Sequence, residues 1–424
     1  VTAFGAFVAR ARSQGRLVVQ PRMGMSRLDE MRLGLYATRN AAATTVGTLT
    51  VDSYTRTGAL DEARRAIDDG TALNGYPIAS YPPDVTRSLL RGIADEEFPV
   101  QVRHGSARPE RIVAALLAAG LDATEGGPVS YCLPYSRLPL REAVTSWQRC
   151  CELLAAAQEA GAQPHLETFG GCMMGQLCPP SLLIALSVLE GMFFRQHGLR
   201  SISLSYAQQT HTGQDEESVA ALIRIAADRL PDIDWHIVIY AYMGVYPQSP
   251  GGAQLLLDEA ARLSVRTGAA RLIVKTTAEA HRIPTVEENV RALETAAVVA
   301  GEEGRAPRTG IADTGIHEEA CALIDAVLDL DADIGRALVR SFAKGRLDVP
   351  YCLHPDNAGR ARSGLDSSGR LYWTDAGAMP VAGRAGAGRS ATGSRELLDA
   401  LSYVQRTFDE RAFRTVAAPL PLSP

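Results

Sequence analysis

Along most of the chain, short β-rich apolar runs alternate with longer stretches whose apolar residues recur every three or four positions. "RLVVQPRMG" precedes "RLDEMRLGLYATRN", and "VGTLTVDSYTR" precedes "ALDEARRAIDDG". A short apolar run fits a strand buried on both faces, and a period near 3.6 fits a helix lying over it. The alternation continues through "NGYPIAS", "FPVQVRHG", "DATEGG", "QPHLETFGG", "SISLSYAQ", "DWHIVIYAYMG" and "RLIVKTTAEA", each followed by a segment long enough to cross back. Repeats of this kind build a parallel sheet. They supply one strand more than an eight-stranded closed barrel needs, and "NGYPIAS" and "DATEGG" are the weakest candidates. An open doubly wound sheet calls for a glycine-rich turn after the first strand, but "QPRMGMSRLDE" contains no GxGxxG. The pattern therefore predicts an α/β fold, a (β/α)8 TIM barrel over residues 1–345.

After about residue 345 the alternation stops and the sequence becomes rich in Gly, Ser, Ala and Arg. Residues 346–424 are expected to form a C-terminal appendage outside the barrel. Within it "GRAGAGRS", Gly383 to Ser390, imitates a phosphate loop with arginine in the lysine's place. No βαβ setting surrounds it, so it is read as a loop.

Composition acts mainly by exclusion. With 46% hydrophobic residues, 21% charged and a net charge of -5, nothing suggests a nucleic-acid surface. Seven cysteines without a CxxC pair argue against a disulfide framework and a zinc cluster, and favour a reducing compartment. The opening "VTAFGAFVARARSQG" lacks the apolar core of a signal peptide, and no apolar run approaches the roughly 20 residues that span a bilayer. A soluble, cytoplasmic protein is expected. The histidines show no metal-ligand spacing, so no protein-bound metal is expected either.

In a barrel of this class the chemistry stands at the C-terminal ends of the strands. Arg22 closes "VVQPR", Arg56 closes "TVDSYTR", Arg103 and His104 close "VQVRHG", Glu125 ends "DATE", Glu167 ends "PHLE", and Lys275 ends "LIVK" with Glu279 one turn on. Any one of these could be an ordinary charge at the start of a loop. Three arginines at one barrel mouth are different, because their mutual repulsion needs an anion or acidic neighbours to offset it, and their forked donors match carboxylates or phosphates. Glu125 adds a carboxylate suited to an ammonium group. Together these residues describe a site for a small amino dicarboxylic acid. Tyr131 and Tyr135, four residues apart, offer two hydroxyls beside it. No nucleophile, Ser-His-Asp order or phosphate cradle is evident, which points to a cofactor for the reactive step.

The motifs "QPRMG", "DSYTR", "LNGYP", "VRHG", "EGGPVSYCLPYS", "ETFGG" with "CPPS", "YMGVYPQ" and "VKTTAEA" resemble, in order and spacing, those of the large (epsilon) subunit of glutamate mutase, also called methylaspartate mutase. The likeness runs from about Phe4 to Pro350 and more weakly beyond. It implies a (β/α)8 barrel that meets a separate small subunit carrying adenosylcobalamin, in a heterotetramer built on a homodimer of large subunits. The implied reaction interconverts L-glutamate and threo-3-methyl-L-aspartate. It starts with cobalt–carbon homolysis and hydrogen removal from the γ-carbon of glutamate, and the substrate radical then splits and rejoins. Carried over by position, Arg22, Arg56 and Arg103 bind the substrate carboxylates. His104, Glu125, Tyr131 and Tyr135 contact the substrate, with Glu125 holding or deprotonating its amine, and Glu167 lies in the matching strand-end motif as a second catalytic candidate. Gly24, Asn74, Pro134, Tyr240, Tyr246, Lys275, Glu279 and Ile283 fall on the cofactor side, with Lys275 and Glu279 placed for the adenosyl ribose.

The chain departs from the family at "IYAYMGVYPQ", where Tyr240 and Ala241 stand in place of a histidine and a glutamine, and Tyr246 in place of a phenylalanine. It contains no DxHxxG, the motif of the cobalt-ligating histidine, so the cobalamin-binding half is expected on another chain. Two alternatives stay open: a related cobalamin mutase acting on another acidic amino acid, and a cofactor-free lyase or aldolase on a dicarboxylate with Lys275 as Schiff-base lysine.

Overall fold

The computed structural model describes residues 4–173, 175–304, 310–382 and 394–417. Eight parallel strands form one sheet: β1 Val18–Gln20, β2 Gly47–Thr50, β3 Val100–Arg103, β4 Ala123–Glu125, β5 His165–Glu167, β6 Ser201–Ala207, β7 Asp234–Tyr240 and β8 Arg271–Ile273. From β2 to β8 each strand pairs with the next in sequence, and β8 pairs with β1. The remaining seam closes through a bridge between Val19 and Thr45, with the Val19 N–H donating to the Thr44 carbonyl at 2.9 Å. The fold is a (β/α)8 TIM barrel. Of the two weak strand candidates, "DATEGG" supplies β4. "NGYPIAS" gives only a bridge from Tyr76 to Val51, because Pro77 has no N–H to extend a ladder.

The strands look apolar in sequence, yet their inward positions are polar at one level of the barrel. Gln20, Gln101, Glu167, Ser203 and Arg271 are all fully buried. The Arg271 guanidinium donates to Glu167 Oε2 and Gln20 Oε1, and to Ser203 Oγ at 3.0 Å. Gln20 Nε2 donates to Gln101 Oε1 at 2.8 Å, and Gln101 Nε2 to Glu167 Oε2 at 3.3 Å. A barrel interior is more often filled by branched apolar layers. Below this network the helix Phe4–Ser13 covers the N-terminal mouth, with Phe4 stacked on His165 at 5.1 Å and Arg271 lying over the Phe4 ring at 5.0 Å.

The helix Pro180–Gln196 is apolar on nearly every face because the helix Ile316–Leu328 packs over its outer side. Beyond the helix Ile334–Lys344 the chain leaves the barrel and forms an antiparallel hairpin, β9 Arg362–Leu365 and β10 Leu371–Asp375, then the helices Ser394–Leu401 and Tyr403–Ala417. This part is fastened by side chain to backbone bonds. Gln214 both donates to and accepts from the Leu371 backbone at 2.9 Å, and Asp409 accepts from the N–H groups of Gln248 and Ser249 at the start of the helix Pro250–Thr267. Gly383 to Ser390 lies outside the described residues. Among the described residues no helix is long and apolar enough to cross a membrane.

Candidate functional site

The C-terminal strand ends open onto a cleft of about 260 Å³, lined by Arg22, Arg56, Arg103, His104, Glu125, Tyr131, Tyr135 and Asn74. Arg103 is the last residue of β3 and is 5% exposed. Its Nε donates to Glu125 Oε2 at 2.7 Å and its Nη2 to the Tyr240 hydroxyl at 3.2 Å, while Nη1 is buried without a partner among the described residues. Next to it the chain turns at Gly105, φ 65°, a left-handed conformation that suits glycine. The turn brings the Ser106 N–H onto His104 Nδ1 at 3.0 Å. With Nδ1 accepting, the ring hydrogen of the neutral imidazole sits on Nε2. Among the described residues that Nε2 is also buried without a partner. Burial, and after it the Arg103 charge, push the His104 pKa down to about 3, so the ring stays neutral.

Glu125 ends β4 and is held from both sides. Tyr131 donates to Oε1, Oε2 accepts from Arg103, and the Tyr240 hydroxyl oxygen lies 2.8 Å from Oε2. The loop that carries Tyr131 starts at Gly126 and Gly127, where a side-chain carbon would run into Trp147 and Glu190 respectively. Tyr135 is half-exposed at the rim and packs edge-on against Tyr131 at 6.0 Å. Arg56 does not close a strand as its position suggests. β2 ends at Thr50, and Asp52 then caps the short helix Ser53–Thr57 by accepting from the N–H groups of Tyr54 and Thr55 at 2.9 and 3.0 Å. Arg56 reaches the cleft from that helix, with no ion-pair partner among the described residues.

On the β8 side, Lys275 lies two residues beyond the strand, and its Nζ meets Glu279 Oε1 at 2.9 Å over the Tyr246 ring. Arg22 reaches the same carboxylate at 3.2 Å. Burial outweighs Glu279 and lowers the Lys275 pKa to about 8. Tyr246 is buried, with its hydroxyl unpartnered among the described residues. Asn74 is tied to Ser53 by two hydrogen bonds, Gly24 lies where a side chain would run into the Thr50 carbonyl, Pro134 is half-buried, and Ile283 is 75% exposed at the rim.

The family description "Methylaspartate mutase E chain (MutE)" matches residues 2–390. The chain belongs to the methylaspartate mutase E chain family. It is 32% identical over 388 residues to a glutamate mutase epsilon subunit of Halobacterium salinarum, covering 88% of this chain and 80% of that protein. A glutamate mutase epsilon subunit of Desulfitobacterium hafniense is 31% identical over 391 residues, with 88% and 80% covered, and one of Escherichia coli O157:H7 is 28% identical over 395 residues, with 89% and 81% covered.

Glu167 lies one level below the cleft lining, fully buried on Arg271 and bridged to Glu125 by Tyr240, whose hydroxyl contacts its Oε1. One positioning residue escapes the sequence pattern. Glu190, a single acid on the helix Pro180–Gln196, accepts from the N–H groups of Val129 and Ser130 at 3.3 and 2.9 Å, and from Phe169 and Gly170 at 3.2 and 2.8 Å. It thereby ties the loops after β4 and β5 together under the cleft. A lone glutamate in an otherwise apolar helix was the only signal for it.

Proposed function

We propose that this protein is the substrate-binding large subunit of a glutamate mutase, acting with adenosylcobalamin and a small cobalamin-binding subunit to interconvert L-glutamate and threo-3-methyl-L-aspartate. The observation that carries this is the set of unanswered donors around one carboxylate. Among the described residues, Arg103 Nη1 and His104 Nε2 are buried without partners and Arg56 has no carboxylate partner, and Glu125 stands between them. A buried donor left unpaired costs about 1–3 kcal/mol, and a ligand carboxylate would recover that cost. Two carboxylates and one ammonium fit the charges. Arg22, Arg56 and Arg103 pin the carboxylates, the neutral His104 donates from Nε2, and Glu125 receives the ammonium. Fixing both ends matters when a carbon–carbon bond is broken and remade, and Tyr131, Tyr135 and Phe169 wall the cleft against water.

The neighbouring rim fits the cofactor. Lys275 and Glu279 present a donor and an acceptor side by side, suited to ribose hydroxyls, and the buried Tyr246 hydroxyl has no partner among the described residues. Gly24, Asn74, Pro134 and Ile283 would border the same group. When bound, adenosylcobalamin supplies the carbon radical that starts the rearrangement. The small subunit is expected to bring the cobalt-ligating histidine of a DxHxxG motif, which these 424 residues lack.

Proton NMR of L-glutamate incubated with the chain, adenosylcobalamin and the small subunit tests this proposal. 3-Methylaspartate should form with all three present and with none of them omitted. Turnover by the chain alone, or none with the full set, would overturn it. Arg103→Lys keeps the charge but loses the fork, and should lower kcat/KM by on the order of 1.5–3 kcal/mol in transition-state stabilisation. Unchanged kcat/KM in a folded variant would remove Arg103 from the carboxylate site. The lowered Lys275 pKa favours one rival, a Schiff-base lyase, and borohydride with substrate should leave this chain unmodified.

A further inference from the structure

Tyr240 carries one proton and faces two carboxylates. Its hydroxyl lies 2.8 Å from Glu125 Oε2 and also contacts Glu167 Oε1, and it accepts from Arg103 Nη2 at 3.2 Å. Burial, opposed by Arg103 and reinforced by the two glutamates, keeps the phenol protonated far above the usual range. A phenol donates once and accepts twice. When its proton goes to Glu167, the carboxylate that Arg271 holds ionised, the 2.8 Å contact with Glu125 Oε2 sets lone pair against lone pair. The line Glu125–Tyr240–Glu167 therefore has hydrogen-bond positions for two protons and owns one. The surrounding charges fix where the second can go. Glu167 Oε2 is taken by Arg271, Ser203 and Gln101, which keep that carboxylate ionised, whereas Glu125 opens onto the cleft between Arg103, Tyr131 and the neutral His104.

Building on the amino-dicarboxylate site above, we propose that Tyr240 is a positioning residue that makes Glu125 the acceptor of a proton from the ligand's ammonium group. An N–H bond of the ammonium breaks with its electron pair left on nitrogen, and an O–H bond forms on Glu125. Protonated Glu125 then donates to the Tyr240 oxygen while Tyr240 donates to Glu167, and no oxidant or further reactant is needed. The ligand is held as a neutral amine against an uncharged carboxyl. The same line makes amine-bearing ligands distinct from plain dicarboxylates, because only an amine can supply the missing proton. Any side chain at position 240 that both donates and accepts could serve this purpose, and imidazole does so through its two nitrogens.

Infrared difference spectroscopy of the full chain on adding L-glutamate tests the proposal, with glutarate as the comparison ligand. L-Glutamate should produce a protonated-carboxyl band, and glutarate should not. Glu125→Gln should abolish the band. Tyr240→Phe should reduce it about fivefold at saturating L-glutamate, the factor carried by one hydrogen bond of ordinary net strength. Tyr240→His should retain it. A purely structural role for Tyr240 would leave the band at full size in a folded Tyr240→Phe, and that outcome overturns the proposal. Equal bands with the two ligands, or none with either although both bind, overturn it without any variant. L-Glutamate that fails to bind the wild-type chain at all would overturn the assignment of the cleft as well.

Discussion

Glu125→Gln is expected to lower kcat/KM for L-glutamate by on the order of 10²–10⁴-fold, the range of a positioned general base. The amide keeps the shape and can still accept from Arg103 Nε, so the fold and the carboxylate grip should survive. What disappears is the charge that receives the ammonium and the oxygen that takes its proton. The Arg103 guanidinium, now without its counter-charge, becomes a stronger site for any anion. Glutarate should therefore inhibit the variant more tightly relative to L-glutamate than it inhibits the wild type. Steady-state kinetics with both ligands at one ionic strength measures this. A variant that turns over L-glutamate at the wild-type rate and rejects glutarate as before would make Glu125 a structural rim residue.

Arg271→Met is expected to cost about 3–5 kcal/mol of stability, because it leaves Glu167 buried without its cation. Urea unfolding should show a lower midpoint at an unchanged slope. The pH dependence should change sign on the acid side. In the wild type burial favours the neutral carboxyl, but Arg271 and then Arg103 outweigh it and hold the Glu167 pKa below the usual value. That contribution is present above the ordinary carboxylate range and is lost as pH falls through the lowered pKa. With Arg271 gone, burial, the strongest of these influences, is opposed only by Arg103 and the Tyr240 hydroxyl and raises that pKa, so the variant should gain stability as pH falls. Combining Arg271→Met with Glu167→Gln should recover much of the loss, since an uncharged pair leaves no orphaned charge. Additive losses in the double variant would mean that the two side chains do not act as a pair.

The barrel and the mouth of its cleft were legible in the sequence for one reason. In a closed parallel sheet every strand's C-terminal end reaches the same face, so Arg22, Arg103 and Glu125 could be brought together without coordinates. The level beneath them was not legible. Gln20, Gln101 and Arg271 lie in strands of three or four residues, too short for a period to reveal which way a polar side chain faces. Glu190 was hidden likewise, since its partners are backbone N–H groups of two distant loops. Arg56 was placed on a strand because Asp52 capping a five-residue helix leaves the same Ser-Tyr-Thr pattern as a strand end. The hairpin of β9 and β10 went unseen because its strands are short, and one contains Gly364.

The most direct test of the assigned site is a crystal structure of the chain with L-glutamate bound. The ligand is expected in the cleft with a carboxylate on Arg103 Nη1 and His104 Nε2, its other carboxylate held by Arg22 and Arg56, and its nitrogen within hydrogen-bond distance of Glu125. L-Glutamate seated elsewhere, or lying in the cleft with its nitrogen turned away from Glu125 and Arg103 Nη1 still unpartnered, would contradict the account.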